Sequence, residues 1–276
     1  MDFDESKDID KALRYQVAKS NELIQKSRYC LALREQRALD YAISKIQKAD
    51  PSDKVYRVDA KEAYRIVTSS KGAMGGNDYR NAYQIFKNLQ GMPVEISPRE
   101  GLLVSCNWFH HVSYDKTTGV IEFQFHNLLT PYLFSLRGNF SRYFLEVTVK
   151  MKCVYGPRLY QLLKAIAKGK KVELTIPLEQ LKNDIGASLE AVKNRRGLYE
   201  VKIIRGYESY GKFKQAVLDP SVEDINRCSD IRVEYEPVKT GRRVTAIKFK
   251  VNDDNADSML RAFEEIDRMK HPWRYA

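Results

Sequence analysis

The sequence predicts an α+β protein in which one order of helices and strands occurs twice along the chain. Two observations lead to this prediction. Segments with apolar residues at helical spacing are interspersed with shorter segments of alternating apolar and polar residues, and their order in the first half is repeated in the second. The length of 276 residues suits two domains. A hydrophobic content of 43% supports packed cores rather than disorder.

The first half begins with a helix, a short strand and a second helix. Apolar residues at helical spacing predict the first helix over residues 29–46, and Pro51 ends it because proline cannot continue the helical hydrogen bonds. A short strand over residues 55–58 leads to Asp59. We expect Asp59 to cap the helix over residues 60–67.

A third helix and a hairpin complete the first copy of the pattern. Apolar residues predict a helix over residues 79–90 that starts at a cap, Asn77 or Asp78, and stops at Gly91. Gly119 can adopt the positive φ that a tight turn needs. The two strands and the turn between them are predicted over residues 102–115, 120–126 and 116–119.

The second half repeats this order. A helix opens at Pro157, a strand and a short helix follow, then a helix over residues 210–230 that Pro220 is expected to kink. The hairpin over residues 231–251 has cleanly alternating strands. Residues 144–151 are predicted to form a further strand that packs on one of the domains.

Helix, strand, two helices and a hairpin is the element order of a winged helix, so the sequence predicts two winged-helix domains in tandem. The predicted division gives an N-terminal domain, a C-terminal domain and two terminal segments. Their bounds are residues 13–145 and 146–252 for the domains, 1–12 for an acidic disordered leader and 253–276 for a helical tail.

Positive charge is concentrated in the folded middle of the chain. The protein carries a net charge of +11. Residues 150–250 contribute +10, from 22 basic and 12 acidic residues, and residues 11–149 contribute +7, whereas both terminal segments are acidic. Such a field favours a polyanion as partner, because each neutralised phosphate releases counterions. A solvated basic surface is the alternative.

Several classes of protein are disfavoured by what the sequence lacks. No apolar run approaches the roughly 20 residues that cross a membrane, and the acidic start is unlike a secretory signal. We therefore expect a cytoplasmic protein with no membrane partner. Cys30, Cys106, Cys153 and Cys228 lie far apart in the sequence, so we expect reduced, mostly buried thiols and neither a metal nor a cofactor.

The second domain contains the residues that we expect to read DNA. A helix-turn-helix protein places the start of its second helix in the major groove, and here that segment contributes Tyr210, Lys212, Lys214 and Gln215. Lysine reaches guanine and glutamine pairs with adenine. The apolar residues Val217, Leu218 and Ile225 fall on the opposite side of the helix. Lys212 and Lys214 as ordinary surface lysines are the alternative.

The turn of the second hairpin is the expected wing contact. It carries Lys239, Arg242 and Arg243, and three cations at a hairpin tip suit phosphates or the minor groove.

The first domain is expected to bind DNA more weakly. Its equivalent helix starts near Asn77, with Tyr79 and Arg80 in the first turn, and its backbone N–H groups can receive a phosphate. Its hairpin is more apolar, with Trp108, Phe109, Ile121, Phe123 and Phe125. Two interpretations stay open for these side chains: core packing within the domain, or a strand surface for a second subunit.

An enzymatic function has little support. Rolling-circle nickases use a tyrosine and histidines that bind a metal, but His110 and His111 are adjacent and point to opposite faces of a strand unless it is bulged. Tyr114 nearby adds little because tyrosine is abundant. Residues 69–76 lack the Gly-Lys-Ser/Thr of a P-loop. The sequence therefore predicts a non-catalytic protein.

Three segments resemble the iteron-binding plasmid replication initiators. The first is VAKSNELIQKSRYCLALREQRALDYAISKI (residues 17–46), the second is GPRLYQLLKAI (156–166), and the third runs from FKQAVLDPSVEDIN to TGRRVTAIKFKV (213–251). They occur in the same order as in that family and span most of the chain.

This resemblance implies two winged helices related by a pseudo-two-fold axis. It implies binding to repeats in double-stranded plasmid origin DNA, opening of the origin and recruitment of host replication proteins such as a helicase or an initiator. A homodimer in equilibrium with the monomer, repressing its own gene, is also implied. A winged-helix transcriptional regulator without a role in replication is the main alternative, and a basic structural or RNA-binding protein is a third.

One segment departs from the pattern of that family. The connection over residues 187–207 is longer than is usual in that family, and it is basic, with Lys193, Arg195, Arg196, Lys202 and Arg205. Two interpretations stay open: an extension that contacts DNA, or an extra hairpin that covers the core.

Overall fold

The computed structural model describes residues 12, 14–69, 75–195, 199–203, 207 and 209–253. The predicted leader other than Ala12, the break at residues 70–74 and the tail beyond Asp253 lie outside the described residues. The first half contains β1 (Gln16–Ser20), α1 (Asn21–Lys26), β2 (Ser27–Arg28), α2 (Leu33–Ile43), β3 (Tyr56–Asp59), α3 (Ala60–Thr68), α4 (Gly76–Gly91), β4 (Pro93–Arg99), β5 (Leu102–Asn107), β6 (Phe109–Asp115), β7 (Val120–Phe125), a 3-10 turn (Asn127–Leu129), α5 (Thr130–Leu133) and β8 (Phe140–Phe144).

The second half continues with a helix that links the two units. Its elements are α6 (Leu145–Lys150), α7 (Gly156–Ala167), β9 (Lys171–Pro177), α8 (Leu178–Asp184), β10 (Leu189–Lys193), β11 (Tyr199–Ile203), α9 (Tyr210–Phe213), a π-helical turn (Lys214–Leu218), α10 (Asp219–Cys228), β12 (Arg232–Thr240) and β13 (Arg243–Asn252).

The sheet topology confirms that one fold occurs twice. In the first unit the strand order is β3-β7-β6, so the short strand after the first helix pairs with the second strand of the hairpin. The second unit has the equivalent order β9-β13-β12. Each sheet is antiparallel. In each unit a helix precedes the first strand, and further helices lie between that strand and the hairpin. The predicted α+β tandem winged-helix fold is therefore correct.

The first helix is shorter than predicted at both ends. Helix α2 begins after Ala32, where the Glu35 carboxylate accepts the Ala32 backbone N–H at 2.9 Å. Tyr29 and Leu31 are buried but precede the helix. Strand β1 and helix α1, further upstream, lie where no element was predicted. Apolar residues in this stretch face the core from irregular chain, which helical spacing alone does not reveal.

The caps of the next two helices differ in how well they were predicted. Asp59 caps α3 as expected, because its Oδ1 accepts the Glu62 N–H at 2.8 Å. The expected cap of α4 at Asn77 or Asp78 is wrong. Gly75 precedes the helix, and Asp78 in the first turn accepts the Gly75 N–H at 2.8 Å. The carboxylate thus acts from inside the helix instead of before it.

An additional hairpin separates α4 from the wing strands of the first domain. Strands β4 and β5 pair with each other, and Gly101 between them has φ +75°. The predicted strand over residues 102–115 is in fact two strands, β5 and β6, that join different sheets. The turn before β7 was predicted correctly, with Gly119 at φ +71°.

The predicted strand over residues 144–151 is wrong. Strand β8, which pairs with β1, ends at Phe144, and α6 follows it. Leu145, Val147 and Val149 are all buried, and α6 packs between α2 and α10. Burial on several sides outweighs the strand preference of the β-branched Val147 and Val149.

Elements of the second domain agree closely with prediction. Pro157 lies in the first turn of α7, and the hairpin β12–β13 turns at Gly241, with φ +61°. The helix over residues 210–228 is continuous but contains the π-helical turn immediately before Pro220. In that turn the Asp219 N–H donates to the Lys214 carbonyl, five residues back. The irregularity lies where proline leaves the helix without a donor.

Five large apolar residues of the first hairpin, four aromatic ones and Ile121, belong to the core of their own domain. Trp108, Phe109, Ile121, Phe123 and Phe125 are each at most 1% exposed. Phe123 stacks on Tyr56 of β3 and meets Phe86 of α4 at 5.4 Å between ring centroids. The interpretation of these side chains as a surface for a second subunit is therefore wrong, and core packing accounts for all five.

Candidate nucleic-acid interface

The start of the helix over residues 210–228 presents a polar face to solvent. Ser209 caps it, with the hydroxyl accepting the Lys212 N–H at 3.3 Å. Phe213, Val217, Leu218 and Ile225 are buried, so the opposite side carries the exposed residues Lys212, Lys214 and Gln215. The helical arrangement expected from the sequence is present: apolar residues hold the helix in the domain and leave three polar side chains accessible.

Tyr210 lies differently from its neighbours on this helix. Its ring is half-buried against the core, and its hydroxyl is buried without a hydrogen-bond partner among the described atoms. Burial raises the pKa of this hydroxyl. Tyr210 therefore packs beneath the helix and does not share the exposed face of Lys212 and Gln215.

Lys214 is partly neutralised by its own helix. Its ammonium donates to Asp219 at 2.6 Å, and Asp219 also accepts from the Tyr235 hydroxyl. Partial burial on its own would raise the pKa of Asp219, but the hydrogen bonds from Lys214 and Tyr235 outweigh it and lower that pKa. The hydrogen bond to Asp219 in turn raises the pKa of Lys214. The Lys212 side chain makes no ion pair in the described part of the chain. Of the two lysines, Lys214 alone pairs with an acidic side chain within the described part of the chain.

The wing tip of the second domain carries three accessible cations. Lys239, Arg242 and Arg243 are exposed and flank Gly241, where the chain reverses. No acidic side chain pairs with any of the three among the described residues. A β-bulge between Val238 and Lys239 bends the strand just below the tip. The tip is a compact positive surface that protrudes from the domain.

Acidic residues on the same sheet lie toward the base of the wing. Lys248 pairs with Glu173 of β9 at 2.6 Å, and Lys250 pairs with Glu236 at 3.4 Å. Hydrogen bonding to Glu173 raises the pKa of Lys248. The stem is therefore close to balanced in charge, whereas the tip is not. This separation focuses positive potential where a polyanion can approach.

The corresponding helix of the first domain presents a less basic face. Asn77 and Arg80 are exposed at the start of α4, and Tyr79 is half-buried against the core. The Asp78 carboxylate lies at this helix end, where it binds the Gly75 N–H. It also hydrogen-bonds to Tyr64 and thereby raises the pKa of that hydroxyl. The predicted phosphate site on free N–H groups is thus partly occupied by the carboxylate of the protein itself.

Further polar residues of α4 continue this exposed face and were missed from the sequence. Asn81, Gln84 and Lys87 are exposed and follow Asn77 and Arg80 at helical spacing. Gln84 donates to Asn88 at 3.0 Å, which holds its amide in place. Extending the helical wheel beyond the first turn would have revealed these residues.

The basic segment over residues 187–207 forms a hairpin, β10–β11, although residues 196–198 and 204–206 are outside the described ones. Lys193, Arg195 and Lys202 are exposed on it. Arg196 and Arg205 lie outside the described residues. The described strands therefore pair as the extra hairpin of the second interpretation, and the exposed cations on them leave the DNA-contact interpretation open.

Features of a metal enzyme are not assembled in the described part of the chain. Strand β6 does have an irregularity between Phe109 and His111, and both His110 and His111 are exposed. No group of three or more potential ligands converges among the described residues. Tyr114, which a nickase interpretation would use, stacks on Tyr83 at 5.6 Å between centroids.

Two other expectations concern the burial of the cysteines and the absence of a membrane-spanning helix. All four cysteines are free thiols, but only Cys106 is buried, whereas Cys30, Cys153 and Cys228 are half-buried. The expectation of mostly buried thiols is wrong for these three. Burial raises the pKa of Cys106 to about 11. Among the described helices, none is both long enough and apolar enough to cross a membrane.

Fold and surface together define a tandem winged-helix protein with a cationic wing and an exposed polar helix face. Two family descriptions match it: "Initiator Replication protein, WH1" over residues 16–164 and "Initiator Rep protein, WH2" over residues 188–251. The chain belongs to this initiator replication protein family. The resemblance drawn from the sequence is confirmed, and the hairpin β10–β11 falls inside the second matched range.

Two solved structures are similar to this chain. The Pi initiator protein, solved in complex with iteron DNA, is 21% identical, with a TM-score of 0.65, over 88% of this chain and 99% of its own. The WH1 domain of MSBI1.176, a replication protein isolated from a multiple sclerosis patient, is 20% identical, with a TM-score of 0.29, over 37% of this chain and 79% of its own. The first match supports the two-domain architecture.

Proposed function

We propose that this protein initiates replication of a plasmid by binding repeated sequences in the origin. Membership of the initiator family supports the role, and the Pi protein, which has the same fold, was solved with iteron DNA. The observation that carries the proposal is the wing tip with Lys239, Arg242 and Arg243, three exposed cations without acidic partners in the described chain. A surface of this kind suits a phosphate backbone.

Within this proposal, the second domain is the main reader. The N-terminal part of the helix over residues 210–228 enters the major groove, where Lys212 and Gln215 contact base edges. Lys214 contributes less because Asp219 already binds it. Tyr210 supports the helix from beneath. The wing tip contacts phosphates or the minor groove beside the reading helix.

The first domain adds contacts through α4. Asn77 and Arg80 contact the backbone of the adjacent groove, and Tyr79 packs behind them. Asn81 and Gln84, one turn further on, lie where base edges are accessible to a helix in the groove. The predicted division into domains at residues 145 and 146 remains part of this proposal. It assigns α6 and α7 to the second reader.

A homodimer in equilibrium with the monomer is the second part of the proposal. Strand β5 is an edge of the sheet β2-β4-β5, as far as the described strands extend, and it exposes Leu102 at 37% and Leu103 at 57%. An apolar edge strand pairs readily with a second copy. This surface replaces the aromatic hairpin that the sequence suggested.

Sedimentation of the Leu103→Arg variant tests the dimer interface. We expect the variant to stay folded and to sediment as a monomer at concentrations at which the wild-type protein is dimeric. Glu100→Gln, in the turn that precedes β5, also raises the net charge by one, so it is the charge-matched control and should dimerise normally. Equal dimerisation of wild type and the Leu103→Arg variant would remove β5 from the interface.

Further activities follow from the initiator role. Binding opens the origin and recruits host replication proteins, a helicase or an initiator, in the cytoplasm, and dimers repress the gene of the protein. No cofactor and no catalytic residue takes part. A transcriptional regulator with the same fold would bind the same kind of DNA without supporting replication.

Transformation tests this proposal against that alternative. A plasmid whose only replicon is this gene with its flanking DNA should replicate in a suitable host. A frameshift in the gene should abolish transformation, and supplying the intact protein from a second plasmid should restore it. Repression of the promoter without any replication in trans would establish the regulator instead.

A further inference from the structure

A short strip of the first domain contacts the second domain at several points. We call residues 27–30 the docking strip. Arg158 of α7 is 5% exposed and donates to the Ser27 carbonyl at 3.1 Å and to the Asp184 carbonyl at 2.6 Å. Its guanidinium also lies 4.0 Å from the centroid of the Tyr29 ring. One buried arginine thus joins the docking strip to the end of α8.

The chain leading into the hairpin β10–β11 passes very close to the same strip. Gly186 has φ +82°, and a Cβ at this position would lie 3.3 Å from the Tyr29 carbonyl oxygen. Cys30, in the same strip, lies beside the backbone of Ala191 in β10. Both the turn and the first strand of the hairpin therefore lie against the first domain.

The second strand of the hairpin reaches the end of the first reading helix. Strand β11 lies beside β4, and the ring of Tyr199 covers Gly91, the last residue of α4. A Cβ at Gly91 would be 3.6 Å from Cδ2 and 3.8 Å from Cε2 of Tyr199. The hairpin that precedes the reading helix of the second domain thus contacts the reading helix of the first.

The connection between the domains is held at a separate place. Gln36 of α2 donates to the Val154 carbonyl at 2.8 Å, and Arg37 donates to the Met151 carbonyl at 2.8 Å. From the other side, Asp224 accepts the Cys153 N–H at 2.6 Å. These bonds fix the connection itself, whereas the contact of Tyr199 with Gly91 lies on the reading helix of the first domain.

We propose that the hairpin β10–β11, through Tyr199 on Gly91, fixes the spacing at which the two domains read DNA. This inference rests on the proposed function, in which both domains contact one repeat. Each base pair added between two half-sites moves them apart by 3.4 Å and rotates them by about 34°. A rigid protein follows such a change poorly. A protein whose domains can pivot still binds both displaced half-sites, but its second domain then binds at a lower effective concentration.

Band-shift measurements with altered repeats test the inference on the full-length protein. The probes are the natural repeat and versions with one or two base pairs inserted between the segments that each domain protects in a footprint. We expect the wild-type protein to lose about 30-fold or more in affinity on a two-base-pair insertion. We expect Tyr199→Ala to lose less than about 5-fold on the same insertion and to bind the natural repeat roughly 3- to 10-fold more weakly.

Matched variants separate this role from a general loss of stability. Tyr199→Phe keeps the ring on Gly91 and should restore the spacing preference of the wild type. Gly91→Ala fits beneath the ring and should also behave as wild type, whereas Gly91→Leu should displace the ring and relax the preference. If Tyr199→Ala fails to fold, the spacing preferences of Gly91→Ala and Gly91→Leu test the inference instead.

Three outcomes would overturn the inference or the function beneath it. Equal spacing preference in the wild type, Tyr199→Ala and Gly91→Leu would refute the positioning role and leave repeat binding intact. Weaker binding of Lys202→Ala with a smaller salt dependence, at unchanged spacing preference in Tyr199→Ala, would make the hairpin a DNA contact instead. No preference of the wild type for repeats over unrelated DNA would refute the proposed function itself.

Discussion

The wings of the two domains have the same topology but opposite chemistry. In the first, Phe123 and Phe125 of β7 are completely buried, and the Asp115 carboxylate accepts the Thr117 N–H and the Thr118 hydroxyl at 2.8 Å within the turn. In the second, the strands are longer and the tip presents cations that have no acidic partner among the described residues. One wing completes a core and the other extends beyond it. A repeated fold therefore does not imply repeated function.

The two helices that we propose to read DNA, α4 and the helix over residues 210–228, differ in charge as the two wings do. At the start of α4, Asp78 brings negative charge close to the surface that a phosphate would approach. At the start of the helix over residues 210–228, the cap is the neutral Ser209, and Lys212 is exposed. Electrostatics thus favours the second domain as the stronger DNA contact.

The largest expected effect concerns the first wing as a core element. Phe123→Arg places a charge in the core, where no described polar group is positioned to pair with it. The free energy of unfolding should therefore fall by more than about 3 kcal/mol. Urea denaturation measures this. Lys116→Ala, in the exposed turn of the same hairpin, should change it by less than about 0.5 kcal/mol. A stable Phe123→Arg variant would contradict the description of this wing as core.

The second effect concerns the wing of the second domain as a DNA contact. Replacing Lys239, Arg242 and Arg243 together with alanine should weaken repeat binding about 100-fold at low salt and lower the slope of log K against log salt by roughly 2 to 3. Stability should be unchanged because the three side chains are exposed. Lys116→Ala in the first wing is the control, with a slope change below about 1. Equal changes in affinity and salt slope from the two wings would contradict the proposal that only the second wing contacts DNA.

The third effect separates base reading from backbone contact. Gln215→Ala should relax discrimination at one base pair by about 1–3 kcal/mol, because one bidentate contact carries that much. Gln84→Ala in the first domain should have a smaller effect. Selection of binding sites from a randomised repeat, followed by affinity measurements, compares the two. Loss of specificity in the Gln84 variant alone would reverse the proposed roles of the domains.

The smallest effect concerns the contact between the domains. Burial raises the pKa of Asp184 to about 6 despite the nearby Arg158, from a usual value of 3.8. The folded state therefore binds a proton more tightly than the unfolded state, so the unfavourable contribution of this carboxyl grows as the pH rises from 3.8 to about 6 and is constant above that. Asp184→Asn should thus stabilise the protein at pH 7, on the order of 1 kcal/mol after allowing for partial exposure, and not at pH 4. Denaturation of both proteins across this range would show it, and a constant difference would contradict it.

Sequence reasoning succeeded where local pattern and burial agree. The strands around Val233 and Phe249 alternate without interruption, and Asp59 is followed at once by its helix, so both were predicted correctly. Val147 and Val149 were misassigned because neighbours on several sides decide the conformation of that segment. The hairpin at Gly101 was missed because it carries no strong turn dipeptide.

The interface was predictable only in its local part. The exposed residues on the helix over residues 210–228 follow from spacing, as does the cationic tip. The Asp78 carboxylate at the end of α4, the pairing of Lys214 with Asp219 and the burial of the Tyr210 hydroxyl depend on side-chain packing. The contact of Tyr199 with Gly91 joins residues more than a hundred positions apart, which no periodicity reveals.

Binding to the DNA that flanks the gene, compared with scrambled DNA of equal length across a salt series, tests the central claim most directly. We predict tight binding to repeated sites, with a discrimination of about 10³-fold or more that is lost when Lys212 and Gln215 are both replaced with alanine. Equal affinity for the two DNAs, falling together as salt increases, would contradict sequence-specific reading by the second domain. Only a non-specific attraction between a basic protein and a polyanion would then remain.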